Sequence, residues 1–92
     1  MSFNKESAVE RAKQDLAQRL GVAESEISAS ASETDFPDMA LGAAVGGEMS
    51  AQMISSGWRI ELRAGGKSYE YRADKYQIRL RGFNGTNYII ES

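Results

Sequence analysis

The sequence predicts an α+β domain in which one N-terminal amphipathic helix packs on one face of an antiparallel sheet of about four to five strands. Three observations lead there. Only residues 5–20 carry a helical apolar stripe. From Trp58 onward, apolar and polar residues alternate with period two. Two turn-forming pairs, Gly65-Gly66 and Asn84-Gly85, punctuate the alternating runs. A helix followed by a run of strands belongs to the α+β class rather than to βαβ architecture. Ninety-two residues make a single domain, 1–92.

In the helix, Val9, Ala12, Leu16 and Leu20 keep one face apolar. Asn4 or Ser7 caps it, and Ser7 with Glu10 has capping-box spacing. Arg11–Asp15 and Asp15–Arg19 are i,i+4 pairs on the wet face. Gly21 stops the helix in a left-handed conformation, with Val22 folding back on the last turn. After a turn at 23–26, residues 27–36 alternate small and polar side chains and read as a weak strand at a sheet edge. Pro37 ends it, since proline has no N–H for a ladder. Residues 37–56 are nearly uncharged and hold three glycines; 49–54 fit a strand, but the earlier half lacks any period. Strands are expected at 58–64, 67–73, 76–81 and 87–91.

A two-residue turn at Gly65-Gly66 pairs Leu62 with Tyr69, Ile60 with Tyr71 and Trp58 with Ala73, all on one face. Trp58 is then a core anchor under the helix. The other face carries Arg59 opposite Arg72 and Glu61 opposite Glu70, offset by the diagonals Arg59–Glu70 and Glu61–Arg72. In the last hairpin a two-residue turn pairs Leu80 with Ile89 but sets Ile78 against Glu91, which calls for a bulge or a longer turn.

Composition excludes much chemistry. Cysteine and histidine are both absent, which removes disulfides, thiolate metal sites, the commonest general base and the commonest metal ligand. No cofactor or metal is expected. Residues 41–50 lack the Lys-Ser/Thr ending of a phosphate-binding loop. Asp35 and Asp38 flank Phe36-Pro37, where turn hydrogen bonding accounts for them better than a carboxylate pair does. Ser55 and Ser56 have no base beside them. An enzyme is therefore not expected. Neither a membrane span nor a signal peptide is visible, so a cytoplasmic protein, monomeric for preference, is the simplest reading.

Charge is uneven. Residues 1–56 carry four Lys/Arg against nine Asp/Glu, and residues 57–92 carry seven against four. Arg59, Arg63, Arg72, Arg79 and Arg81 share one strand face, which admits RNA binding as an alternative. The aromatics lie on the opposite face and Glu61 and Glu70 dilute the positive field, so a solvated sheet surface is favoured over nucleic acid.

From Phe36 on, Phe36-Pro37-Asp38, Leu41-Gly42, Gln52, Gly57-Trp58-Arg59-Ile60, Gly65-Gly66-Lys67, Tyr69, Tyr71 and Asp74 form a fairly specific pattern. It resembles a family of small uncharacterised bacterial proteins, and with Ala12, Leu16, Arg19-Leu20-Gly21-Val22 and Ile27 the resemblance extends over about residues 8 to 81. Ala43-Ala44 stands where that family typically has Cys-Pro, and Ser55-Ser56 where it has Thr-Pro. The resemblance implies a small α+β domain and no known activity.

The leading expectation is a non-enzymatic binding or regulatory module that meets an unknown protein partner through residues 37–56. Asp38, Leu41, Val45, Met49, Gln52 and Met53 are the candidate contact residues. Uncharged, Gly-rich loops held by a rigid scaffold commonly carry binding groups, and residues 38–47 are expected to be the mobile part. A peptidase inhibitor of loosely cystatin-like design is a further alternative, resting on Gln52 and Gly57 ahead of a strand.

Overall fold

The computed structural model describes residues 2–92. Helix α1 runs Lys5–Leu20. Asn4 caps it by accepting from the Ser7 amide at 2.8 Å, while the Ser7 hydroxyl accepts from the Asn4 amide at 2.9 Å. The capping box is thus Asn4 with Ser7, one turn earlier than Ser7 with Glu10, because the short Asn4 side chain reaches the third helical amide. Gly21 ends the helix at φ 69°, and the Gly21 and Val22 amides both donate to the Ala17 carbonyl. Ala8, Ala12, Leu16 and Ala17 form the buried face, so Val9 and Leu20 flank the stripe rather than centre it. Three of those four residues are alanine, which lets the helix lie close on the sheet.

Five strands follow, β1 (Ser28–Phe36), β2 (Ser55–Ala64), β3 (Lys67–Ala73), β4 (Ile78–Phe83) and β5 (Thr86–Glu91). They form one antiparallel meander in sequence order, with β1 at one edge and β5 at the other. The β2–β3 register is the expected one, Leu62 opposite Tyr69, Ile60 opposite Tyr71 and Trp58 opposite Ala73. Gly65 and Gly66 both take positive φ. The last hairpin turns at Asn84-Gly85, also with positive φ. Ile78 faces Glu91, but Arg79 faces Ile89 and Leu80 faces Tyr88, with register shifts on both sides. The bulge absorbs the residue that would have turned Leu80 or Ile78 out of the core.

The helix covers one sheet face, where Ile60, Leu62, Tyr71, Ala73, Ile78 and Leu80 join its buried residues in the main core. Burial of a leucine the size of Leu16 stabilises by roughly 1.5–3 kcal/mol. The Tyr71 hydroxyl crosses this layer and donates to Asp15 at 2.7 Å. Burial pushes the phenol's pKa up, and the bond to the Asp15 carboxylate adds to it. Asp15 also pairs with Arg19 at 2.6 Å, whereas Arg11 reaches Glu91 of β5 at 2.8 Å instead of Asp15.

Several expectations need correction. Residues 49–54 are not a strand; they run irregularly into β2, which starts at Ser55. The fourth strand is Ile78–Phe83 because Asp74 holds residues 74–77 in a turn, accepting from the Tyr76 amide at 2.8 Å and the Gln77 amide at 3.0 Å. Tyr76 therefore stands exposed in that turn. Trp58 faces the helix side as expected but is half-buried at the sheet margin, beside Glu33 of β1. Alternation fixes which face a residue shares, not how far under the helix it lies. Trp58→Ala is accordingly expected to cost about 1–2 kcal/mol in urea unfolding followed by circular dichroism, below the ~3–5 of a fully buried aromatic. A loss above about 3 kcal/mol would return Trp58 to the core.

Candidate functional site

Residues 37–54 connect β1 to β2, two neighbouring antiparallel strands. The segment does not stand off as an extended loop. Its first part, 38–48, folds across the sheet face opposite the helix and forms a third layer. Ala40, Leu41 and Ala43 are fully buried there, with Phe36 at the end of β1. The Arg72 guanidinium lies 5.4 Å from the Phe36 ring centre.

This cap lacks regular secondary structure, so its backbone groups find partners elsewhere. Asp38 accepts from the Ala40 and Gly42 amides at 2.9 and 3.0 Å. These two hydrogen bonds hold Leu41 and Gly42 at φ 59° and 66°. A side chain on Gly42 would run into the Arg72 guanidinium, so position 42 is shaped by close approach as well as by its φ. The carbonyls point to the sheet: Leu41 accepts from Arg72 at 2.9 Å, Ala43 from Arg79 at 3.2 Å, Ala44 from Asn87 at 2.8 Å and Met39 from Gln77 at 2.7 Å. Arg79 also grips the Glu48 carboxylate in a two-pronged pair at 2.5 and 2.6 Å. Glu48 accepts in addition from the Val45 amide at 3.1 Å, which closes the turn through Gly46 and Gly47.

The arginine face is therefore not simply a solvated surface. Arg79 is 4% exposed and Arg72 is largely covered, both committed to the cap, Arg72 also binding Glu70 at 2.7 Å. Arg59, Arg63 and Arg81 remain exposed, and Arg59 makes the diagonal pair with Glu70 at 3.5 Å.

Hydrogen bonds from Arg79 hold the Glu48 carboxyl well below its ordinary 4.5, down to about 2; the Val45 amide acts in the same direction and burial opposes it. A carboxylate depressed in the folded state stabilises above its unfolded pKa, and that contribution fades as pH falls through the folded value. The stability difference between the unaltered protein and Glu48→Gln is thus expected to be full above about pH 4.5 and to shrink toward pH 2. Denaturant unfolding of both at several pH values measures it, and a difference independent of pH would remove Glu48 from this role.

The six candidate contact residues separate into two groups. Leu41 is buried, Asp38 is spent on backbone amides and Val45 is half-buried, so these belong to the cap. Met49, Gln52 and Met53 are exposed on the second part of the connection, 49–54. This arm is tied to the cap where the Met39 amide donates to the Ala51 carbonyl at 3.0 Å. It carries Met49 at 96%, Met53 at 63% and Ile54 at 75% exposure. Two further exposed apolar residues adjoin it. Met39 lies across that hydrogen bond, and Tyr76 flanks Asp74, which the Ser55 hydroxyl next to Ile54 reaches at 3.1 Å. Ile54 and Tyr76 escaped the sequence reading, since both look like strand residues in an alternating context.

Among the described residues, no group of three or more acidic, histidine or cysteine side chains is placed to hold a metal ion. No helix among them is long and apolar enough to cross a membrane. The model of a family described as a domain of unknown function (DUF8738) matches residues 9–81, most of the chain, and the chain belongs to that family. No curated protein and no solved structure matches it.

Proposed function

We propose that this member of the DUF8738 family is a non-enzymatic binding or regulatory module whose contact surface is the arm 49–54, together with Met39 and Tyr76. One observation carries the reading: of six exposed large apolar side chains among the described residues, Met49, Met53 and Ile54 lie on the arm, while Met39 and Tyr76 lie on segments hydrogen-bonded to the arm or to the start of β2 beside it. Clustered exposed apolar residues mark interaction sites, and methionine thioethers adapt to partners of varied shape. The cap gives the arm its rigid footing.

The resemblance noted in the sequence supports this division. Phe36, Asp38, Leu41, Gly42, Tyr71 and Asp74 all do structural work, packing the two faces, capping the loop and closing the β3–β4 turn. Most of the pattern then describes a scaffold, and Gln52 is its exposed member on the arm. RNA binding through the arginines has less behind it, with Arg72 and Arg79 engaged in the cap. For an inhibitor of cystatin-like design, Gln52 is suitably exposed, but Gly57 is already inside the β1–β2 ladder.

The test is a matched capture experiment with the unaltered protein and a Met49→Ser, Met53→Ser, Ile54→Ser variant. The variant should keep its stability within about 0.5 kcal/mol, as exposed substitutions do. It should lose protein partners that the unaltered chain retains, and that retention should persist at high salt, unlike phosphate binding. Partners held equally by both proteins would refute the arm as the contact surface.

A further inference from the structure

The two edges of the sheet are guarded very differently. At β5 the register is broken by two shifts, and Glu91 is tied to the helix through Arg11. β1 has no such protection. All nine of its residues pair with β2 in unbroken register from Ser28 opposite Arg63 to Phe36 opposite Ser55. Of the usual devices against edge pairing it lacks lysine, proline and a bulge, and its only charged residues are Glu33 and Asp35. Only Phe36 is fully buried; Ala31 packs against the main core and Thr34 is half-covered, while the other residues of the strand are exposed. Alternate N–H and C=O groups of an antiparallel edge point outward. Among the described residues none of them makes a backbone hydrogen bond outside the β1–β2 ladder.

A cleft of about 410 Å³ opens on the helix side of this edge. Glu33 and Asp35 line it from β1, the half-exposed Trp58 from β2, and Lys75 from the far side. Asp35 accepts from the Ser56 hydroxyl at 2.8 Å, while Glu33 has no ion-pair partner among the described residues. Two carboxylates against one ammonium leave the cleft negative, and the indole offers a face to a cation.

We infer that the outer edge of β1 takes an extended peptide segment of a partner protein as a sixth strand, with a lysine or arginine of that segment seated between Glu33, Asp35 and Trp58. Strand addition supplies affinity through the main chain, and the cleft supplies the preference for a basic side chain. A second copy of this chain fits less well. Antiparallel pairing of two β1 strands sets Glu33 and Asp35 of both copies on one face, and β1 contributes no cation to answer them. None of the arm residues 49–54 lines the cleft, so either assignment can fail without the other.

Trp58 is the sole tryptophan and reports on the cleft directly. The probe is a capped peptide as long as β1 with alternating threonine and lysine. Its controls are the same peptide with glutamate for lysine, and the lysine peptide with alternate backbone nitrogens methylated. The lysine peptide should shift Trp58 emission saturably, the glutamate peptide should bind at least about tenfold more weakly, and methylation should abolish binding. Glu33→Lys, an exposed substitution, should reverse the preference for lysine over glutamate, and the Met49→Ser, Met53→Ser, Ile54→Ser variant should bind like the unaltered chain. The inference is overturned if the lysine peptide gives no saturable shift or if the methylated peptide binds equally well. Concentration-dependent dimers seen by light scattering without peptide, and lost in Glu33→Lys, would likewise overturn it by making the occupant a second copy.

Discussion

Arg79→Met is expected to cost about 3–5 kcal/mol, the size of effect seen when one partner of a buried ion pair is removed. Arg79 is 4% exposed and serves three acceptors: Glu48 through both carboxylate oxygens, the Ala43 carbonyl and the Gln77 side chain. Methionine fills a similar volume but donates nothing, so Glu48 is left with only the Val45 amide in a partly covered site. Adding Glu48→Leu should recover part of the loss, because replacing both members of a buried pair is often close to neutral. Recovery stays incomplete, since the Ala43 carbonyl and the Val45 amide lose their partners. Denaturant unfolding of the two single variants and the double variant measures the coupling. Strictly additive losses would mean that Arg79 and Glu48 do not act as a pair.

Phe36→Ala should cost a similar amount, about 3–5 kcal/mol. Phe36 is 2% exposed and lies outside the main core, on the cap side of the sheet. Deleting its ring removes a face against which the Arg72 guanidinium rests, and opens a cavity where β1 passes into the cap. The cost should approach that of Leu16→Ala in the main core, about 2–5 kcal/mol. A loss below about 1 kcal/mol, read by the same unfolding experiment, would make the cap a loosely attached loop.

The legible parts of this fold are those held by local rules. Helix bounds followed from the stripe and Gly21, the β2–β3 register from Gly65-Gly66 and the alternation around it, and the bulge in the last hairpin from the conflict between Leu80 and Ile78. The cap obeys no local rule. Arg72, Arg79 and Asn87 reach it from 31 to 43 positions away along the chain. Such bonds leave no period in the segment they hold, so residues 38–47 read as mobile. The alternation puts the arginines on one face, yet nothing in their spacing says that a loop lies over two of them. For the candidate site, three of six residues, Met49, Gln52 and Met53, stand on the exposed surface. Leu41 reads as a contact residue yet is buried, because an apolar residue in a loop looks the same from sequence whether it packs inward or outward.

The central claim is that one connection between two strands is half scaffold and half contact surface, and amide hydrogen exchange tests it most directly. The Leu41 amide donates to the Asp38 carbonyl at 3.1 Å and the Ala43 amide to the Ala40 carbonyl at 2.9 Å, both inside the buried cap. They should exchange on the slow scale of Ile60 and Leu62, while the exposed Gln52 and Met53 amides exchange orders of magnitude faster. Equal, fast exchange from Leu41 through Met53 would contradict the account, because the cap would then give the arm no fixed footing.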